Sequence, residues 1–104
     1  MPYFKIANVR EVKENKVISK FTPYGMIGLT KIQEQIIAFQ DECTHDGAPF
    51  DDAKIELSSF EIICPRHGAR FDLKTGKVTR PPAFEPIEIY KVKIENDEIF
   101  IEID

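Results

Sequence analysis

Isoleucine occupies every second position near the end of the chain: Ile99, Ile101 and Ile103, with Phe100 and Glu102 between them. A period of two places alternate side chains on one face of a β-strand. Phe4 and Ile6 alternate with polar neighbours in the same way. Met26 to Ile32 and Ile36 to Phe39 are two further runs of this kind, and Gln33–Glu34 between them has the length of a hairpin turn. Asn96–Asp97 fits the two-residue turn that joins the last two strands. Ile62 and Ile63 lead into Cys64. One segment changes phase: Ile87 and Ile89 share one face, and Tyr90, Val92 and Ile94 share the other. A bulge near Tyr90, or a strand buried on both faces, would produce that change. No segment shows a capped 3.6-residue period, although Val9 to Val17 has room for one helical turn. The pattern predicts an all-β fold, a small antiparallel β sandwich or barrel, with Tyr24, Tyr90 and the phenylalanines in its core.

The length of 104 residues corresponds to a single domain, 1–104, with a modest core. Charged residues make up 31% and hydrophobic ones 42%, values ordinary for a globular chain. A net charge of −4 without a basic stripe argues against nucleic acid as a partner. No apolar run has the length of a membrane span, and no leader pattern opens the chain, so the expected location is the cytoplasm.

Composition changes the picture at one point. The chain holds two cysteines and two histidines, and all four fall in two short segments, "CTHDGAPF" from Cys43 and "CPRHGARF" from Cys64. Each segment follows a predicted strand and contains turn chemistry: Asp46, Gly47 and Pro49 in the first, Gly68 in the second. Two loops projecting from one end of a β scaffold are the expected arrangement. Their spacing is Cys-x-His, eighteen residues, then Cys-x-x-His. In a reducing compartment, two cysteines beside two histidines point to a metal before a disulfide. Three readings compete. The residues suit a [2Fe-2S] cluster with Cys43 and Cys64 on one iron and His45 and His67 on the other. They suit a Cys2His2 zinc site equally well by ligand count. The third reading is a Cys43–Cys64 disulfide, or two buried thiols, with incidental histidines.

The neighbouring residues distinguish these readings. "CTHDGAP" resembles the first loop of the Rieske family, and "CPRHGARFDLKTGK" resembles its second loop with the strand and turn that follow. "TRPPAFEPIEIYKVKIENDEIFIEI" is similar to the proline loop and closing strands of soluble Rieske-type ferredoxins. The resemblance implies stacked antiparallel sheets with a two-loop cluster-binding subdomain: loops at about 41–50 and 62–72 and a shielding proline loop at about 80–86. It implies one Rieske-type [2Fe-2S] cluster per chain, held by Cys43, His45, Cys64 and His67, with the histidines on the outer iron near solvent. It also implies a one-electron carrier that is not itself an enzyme. A flavin-type reductase would load it, and an acceptor such as an oxygenase component would unload it. Two readings stand beside this one: a structural zinc module serving as an interaction domain, and a small redox subunit of a larger oxidoreductase.

Departures from the family pattern sharpen the expectation. Respiratory-type members carry an extra cysteine in each loop, joined as a disulfide, where this chain has Ala48 and Arg66. High-potential members carry a serine and a tyrosine that donate to cluster sulfur, where this chain has Ala69 and Phe71. The first departure points to the soluble ferredoxin branch, and the second to a low potential. The segment "DDAKIELSSF" between the loops lacks the glycine turn often found there. Gly47, Gly68 and Gly76 are expected at positive φ or at close approaches. Asp72 and Thr75 are expected to form the turn before Gly76. Asp41, Glu42, Asp46, Asp51 and Asp52 form an acidic run expected to be solvated, or to steer a basic partner. Arg66 and Arg70 read as surface charge; Arg66, lying between two ligands, reads equally as a group that contacts a partner or raises the potential slightly.

Overall fold

The computed structural model describes residues 2–44, 47–51, 53–66 and 68–103. Strands make three antiparallel sheets, and no α-helix occurs among the described residues. The first sheet joins β1 (Tyr3–Asn8), β11 (Glu98–Glu102) and β10 (Val92–Glu95), in that order. The second joins β2 (Ile18–Thr22), β3 (Gly25–Ile32), β4 (Gln35–Gln40) and β9 (Ile89–Tyr90). The third joins β5 (Lys54–Glu56), β6 (Glu61–Ile63), β7 (Arg70–Asp72) and β8 (Val78–Arg80).

The local chemistry matches these elements. β3 and β4 meet through Gln33–Glu34, and β10 and β11 through Asn96–Asp97. All four turn residues have positive φ, between 50° and 71°, the conformation that fits a two-residue hairpin to the twist of its strands. Ile99 and Ile101 are fully buried, as their alternation requires. The helical turn foreseen after Val9 is a single 3-10 turn, Val9–Glu11, where Glu11 accepts from the Asn8 amide and from Lys20.

Two cores result. One lies in the first two sheets, around Ile27, Leu29, Ala38, Ile99 and Ile101. The other lies against the third sheet and contains both cysteines with Phe39, Phe50, Ile62 and Phe71. β4 serves both, since Ala38 faces the first core and Phe39 the second. This division explains the phase change near Tyr90. The segment has no bulge there; it passes from one sheet to another at Lys91, with β9 pairing to β4 and β10 to β11. Ile87 and Ile89 pack into the cysteine core, whereas Tyr90 and Val92 pack into the other.

Two further expectations change. Phe21 is 85% exposed and Phe84 is 90% exposed, and Tyr24 also faces solvent, so these aromatics are not core. The glycine-less segment between the loops still turns sharply between β5 and β6, because Phe60 adopts φ 57°. A non-glycine residue there costs about 1–2 kcal/mol, offset by packing of the Phe60 ring against the cysteine core.

Candidate metal centre

The two loops repeat one backbone frame. In the first, the Cys43 amide donates to the Ala48 carbonyl at 2.7 Å, and the Gly47 amide to the Cys43 carbonyl at 2.6 Å. In the second, the Cys64 amide donates to the Ala69 carbonyl at 2.8 Å, and the Gly68 amide to the Cys64 carbonyl at 3.1 Å. Gly47 and Gly68 have φ of 76° and 75°, which closes each turn without a Cβ penalty. Phe50 and Phe71, at matching places after each cysteine, are both fully buried and meet edge to face with centroids 5.7 Å apart. The sequence signal for the frame is Cys-x-x-x-Gly-Ala-x-Phe, present twice. The histidines occupy different offsets within it, second after Cys43 and third after Cys64. His45 and His67 themselves lie outside the described residues.

Cys43 and Cys64 are 0% and 1% exposed and form no disulfide. They belong to one apolar cluster with Ile62, Phe71, Ala83 and Ile87. Among the described residues, no group of three or more ligating side chains occurs. The donor chemistry available there is thus a pair of soft sulfurs, each delivered by its own loop. Such a pair suits an iron–sulfur cluster or zinc, not a hard cation. Ala48 is buried and Arg66 exposed, so the loops lack the cysteine pair needed for a clamping disulfide.

The proline loop reaches the same cluster. It contains a cis Pro81–Pro82 bond, buries Ala83, and is tied to the first loop where the Thr44 hydroxyl donates to the Glu85 carbonyl at 2.6 Å. Gly76 supports its far end: its amide donates to the Asp72 carbonyl at 2.7 Å, its carbonyl accepts from the Ile87 amide at 2.9 Å, and a Cβ there would run into the Ile87 carbonyl. The turn before it forms as expected, with Lys74 N–H on Asp72 and Lys77 N–H on Thr75.

The charged residues need correction. Asp41 is only 2% exposed, although the acidic run reads as solvated. Glu42 and Asp51 are exposed, and Asp46 and Asp52 lie outside the described residues. Arg70 is not simple surface charge; it is half-buried and donates to Glu61 at 3.2 Å. Glu61 has its pKa held below the usual value, first by the Thr79 hydroxyl and then by Ser59 and Arg70, against the opposing effect of burial. The contacts of Thr44 and Asp41 were not legible in the sequence beyond their nearness to Cys43.

Comparison with known proteins gives one family. Residues 3–91 match the model of the Rieske [2Fe-2S] domain. The chain is 33% identical over 93 residues to the naphthalene 1,2-dioxygenase system ferredoxin component of Pseudomonas putida, covering 89% of this chain and 88% of that protein. It is 35% identical over 95 residues to the 3-phenylpropionate/cinnamic acid dioxygenase ferredoxin subunit of Escherichia coli K12, covering 91% and 88%. Among solved structures, it superimposes on the ferredoxin of carbazole 1,9a-dioxygenase from Nocardioides aromaticivorans IC177. The TM-score is 0.88 at 25% identity, over 97% of each chain.

Proposed function

The chain belongs to the Rieske [2Fe-2S] domain family, and from that premise we propose that it carries single electrons from a flavin-type reductase to an oxygenase component. It is an electron-transfer protein, not a catalyst. We assign Cys43 and Cys64 to one iron and His45 and His67 to the other, with residues 1–104 acting as one unit. Bound there, the cluster supplies one reversible electron.

The observation that carries this reading is the duplicated loop frame, which brings two buried sulfurs into one apolar cluster. The protein's own contribution is positioning and exclusion of water. Phe50, Phe71 and Ala83 pack around the cysteines, and the Thr44–Glu85 hydrogen bond holds the proline loop over the first loop. Phe84 projects from that loop at 90% exposure. Neither nucleic acid nor a membrane is a partner in this reading. The net charge is −4, and no helix among the described residues is long and apolar enough to cross a membrane. We place the protein in the cytoplasm, where its thiols remain reduced.

The test is an absorption and EPR spectrum of the isolated protein, with iron, sulfide and zinc counted. Two irons and two sulfides per chain, with a Rieske EPR signal on reduction, are expected. A colourless protein with one zinc would replace this reading with the structural zinc module. Elution of the native protein as a stable part of a larger enzyme would identify it as a redox subunit instead of a free carrier.

A further inference from the structure

The two loops share a frame but are anchored differently. In an antiparallel ladder, hydrogen-bonded pairs recur at every second residue on each strand. Cys64 pairs with Ala69, so the next such pair outward is Ile62 with Phe71. These two residues do lie opposite one another in the β6–β7 ladder. Cys43 pairs with Ala48 in the same way, so the matching pair would be Asp41 with Phe50. That ladder does not form. The Asp41 amide is already committed to β3, donating to the Met26 carbonyl at 3.1 Å. The Phe50 amide donates instead to Asp41 Oδ1, at 2.7 Å.

We propose that Asp41 is the positioning residue of the first loop, its side-chain carboxylate replacing the strand carbonyl that anchors the second. Three observations carry this. The side chain spans nine residues of sequence to reach a buried amide. Asp41 is 2% exposed, and its Oδ2 is buried without a hydrogen-bond partner. A carboxylate held under those conditions is costly, and the bond to Phe50 is what the structure gains from it. Finally, Asp41 is joined to the second sheet through its backbone and to the loop through its side chain. One residue therefore sets the position of the first loop, and with it Cys43, relative to β3 and β4. An apolar residue cannot accept the Phe50 proton, whereas asparagine can.

Hydrogen exchange resolved to the Phe50 and Phe71 amides of the protein as isolated tests this. In the unmodified protein both amides should be protected. Asp41→Ala should speed exchange at Phe50 by about 10- to 100-fold, the loss expected for one hydrogen bond to a charged acceptor, and leave Phe71 within about twofold. Asp41→Asn keeps an acceptor and should restore most of the protection. Iron release to a chelator should follow the same order, fastest in the alanine variant. The proposal is overturned if Phe50 exchanges like an unbonded loop amide in the unmodified protein. It is also overturned if Asp41→Ala leaves Phe50 unchanged, or if Asp41→Asn behaves like Asp41→Ala. Should Asp41→Ala fail to fold, the unmodified protein and the asparagine variant still decide. Only the iron-release readout rests on the cluster assignment; the amide rates report the clamp whatever the loops bind.

Discussion

In the second loop Phe71 lies opposite Ile62 within a sheet, whereas in the first Phe50 donates to the side chain of Asp41. Around the cysteines the two loops are otherwise alike in their amide–carbonyl bonds, their glycine φ values and the burial of the aromatic that follows. The difference shows that the frame and its anchorage are separate properties. The frame is local: a cysteine, a glycine with positive φ four residues on, a small alanine, and a phenylalanine that turns back into the core. The anchorage is tertiary. The second loop is a hairpin tip of the third sheet, and the first is a crossing between the second and third sheets whose described residues belong to no strand. A second tether is also specific to the first loop. Thr44 bonds the proline loop, while the matching place in the second loop is Pro65, which has no hydroxyl to offer.

The largest effects should ignore that difference. Cys43→Ala and Cys64→Ala should each abolish the cluster and its EPR signal, because each removes a ligand that no other cysteine can replace. Iron and sulfide counts check this, and a full-intensity Rieske signal in either variant would remove that cysteine from the ligand set. Next come the aromatics. Phe50→Ala and Phe71→Ala should each destabilise by about 3–5 kcal/mol, a large share of the roughly 5–15 kcal/mol expected for a whole domain. Phe50 should stand at the upper end, since its ring meets both Phe39 and Phe71. Urea unfolding of the variants gives the values. A larger loss at Phe71 would mean that strand anchorage outweighs ring packing.

Much of this was legible in the sequence because the signals are local. Long alternating runs such as Ile99 to Ile103, two-residue turns and the paired Cys/His segments each carry their information within a few residues. The short strands β5 and β8 were not legible: Lys-Ile-Glu and Val-Thr-Arg each offer one apolar residue, too few to define a period. Periodicity near Tyr90 reported a change of face correctly, but not that the face belongs to a different sheet. Asp41 reads as part of a solvated acidic run, because its burial depends on an amide nine residues away. Phe21 and Phe84 read as core because composition does not record which side of a strand or loop faces water.

A smaller effect concerns the second loop alone. Ala69 and Phe71 are both fully buried beside Cys64 and carry no hydroxyl. Reduction adds negative charge to a cluster, so a donor to its sulfur strengthens on reduction and raises the potential. Without such donors the midpoint should fall toward the low end of the Rieske span, roughly −150 to +300 mV. Ala69→Ser and Phe71→Tyr should each raise it. If each bond favours the reduced state by about 1–2 kcal/mol, the shift is roughly 40–90 mV, and less than additive in the pair. Protein-film voltammetry measures this. An unmoved midpoint with the cluster intact would show that neither hydroxyl reaches sulfur.

The smallest effect should separate the anchorages by pH. Glu61 begins the strand that leads to Cys64, and Arg70 follows Ala69, so their ion pair brackets the second loop. The folded protein holds the Glu61 pKa below the ordinary carboxylate value, chiefly through Thr79 and also through Ser59 and Arg70. A depressed folded pKa means that the carboxylate stabilises the protein above the unfolded value. That contribution disappears as pH falls through the lowered folded value. Glu61→Gln should therefore be less stable than the unmodified protein at neutral pH, and the gap should close in acid. The side chains of Glu61 and Arg70 remain 12% and 31% exposed, so solvent screening keeps the gap below about 1 kcal/mol. Urea midpoints for both proteins at about pH 7 and about pH 3 measure it. Hydrogen exchange at Phe71 should show the same loosening of the β6–β7 ladder in acid. A gap of equal size at both pH values would mean that glutamine loses packing or hydrogen bonds rather than charge, and the second loop's sheet would then have no electrostatic anchor.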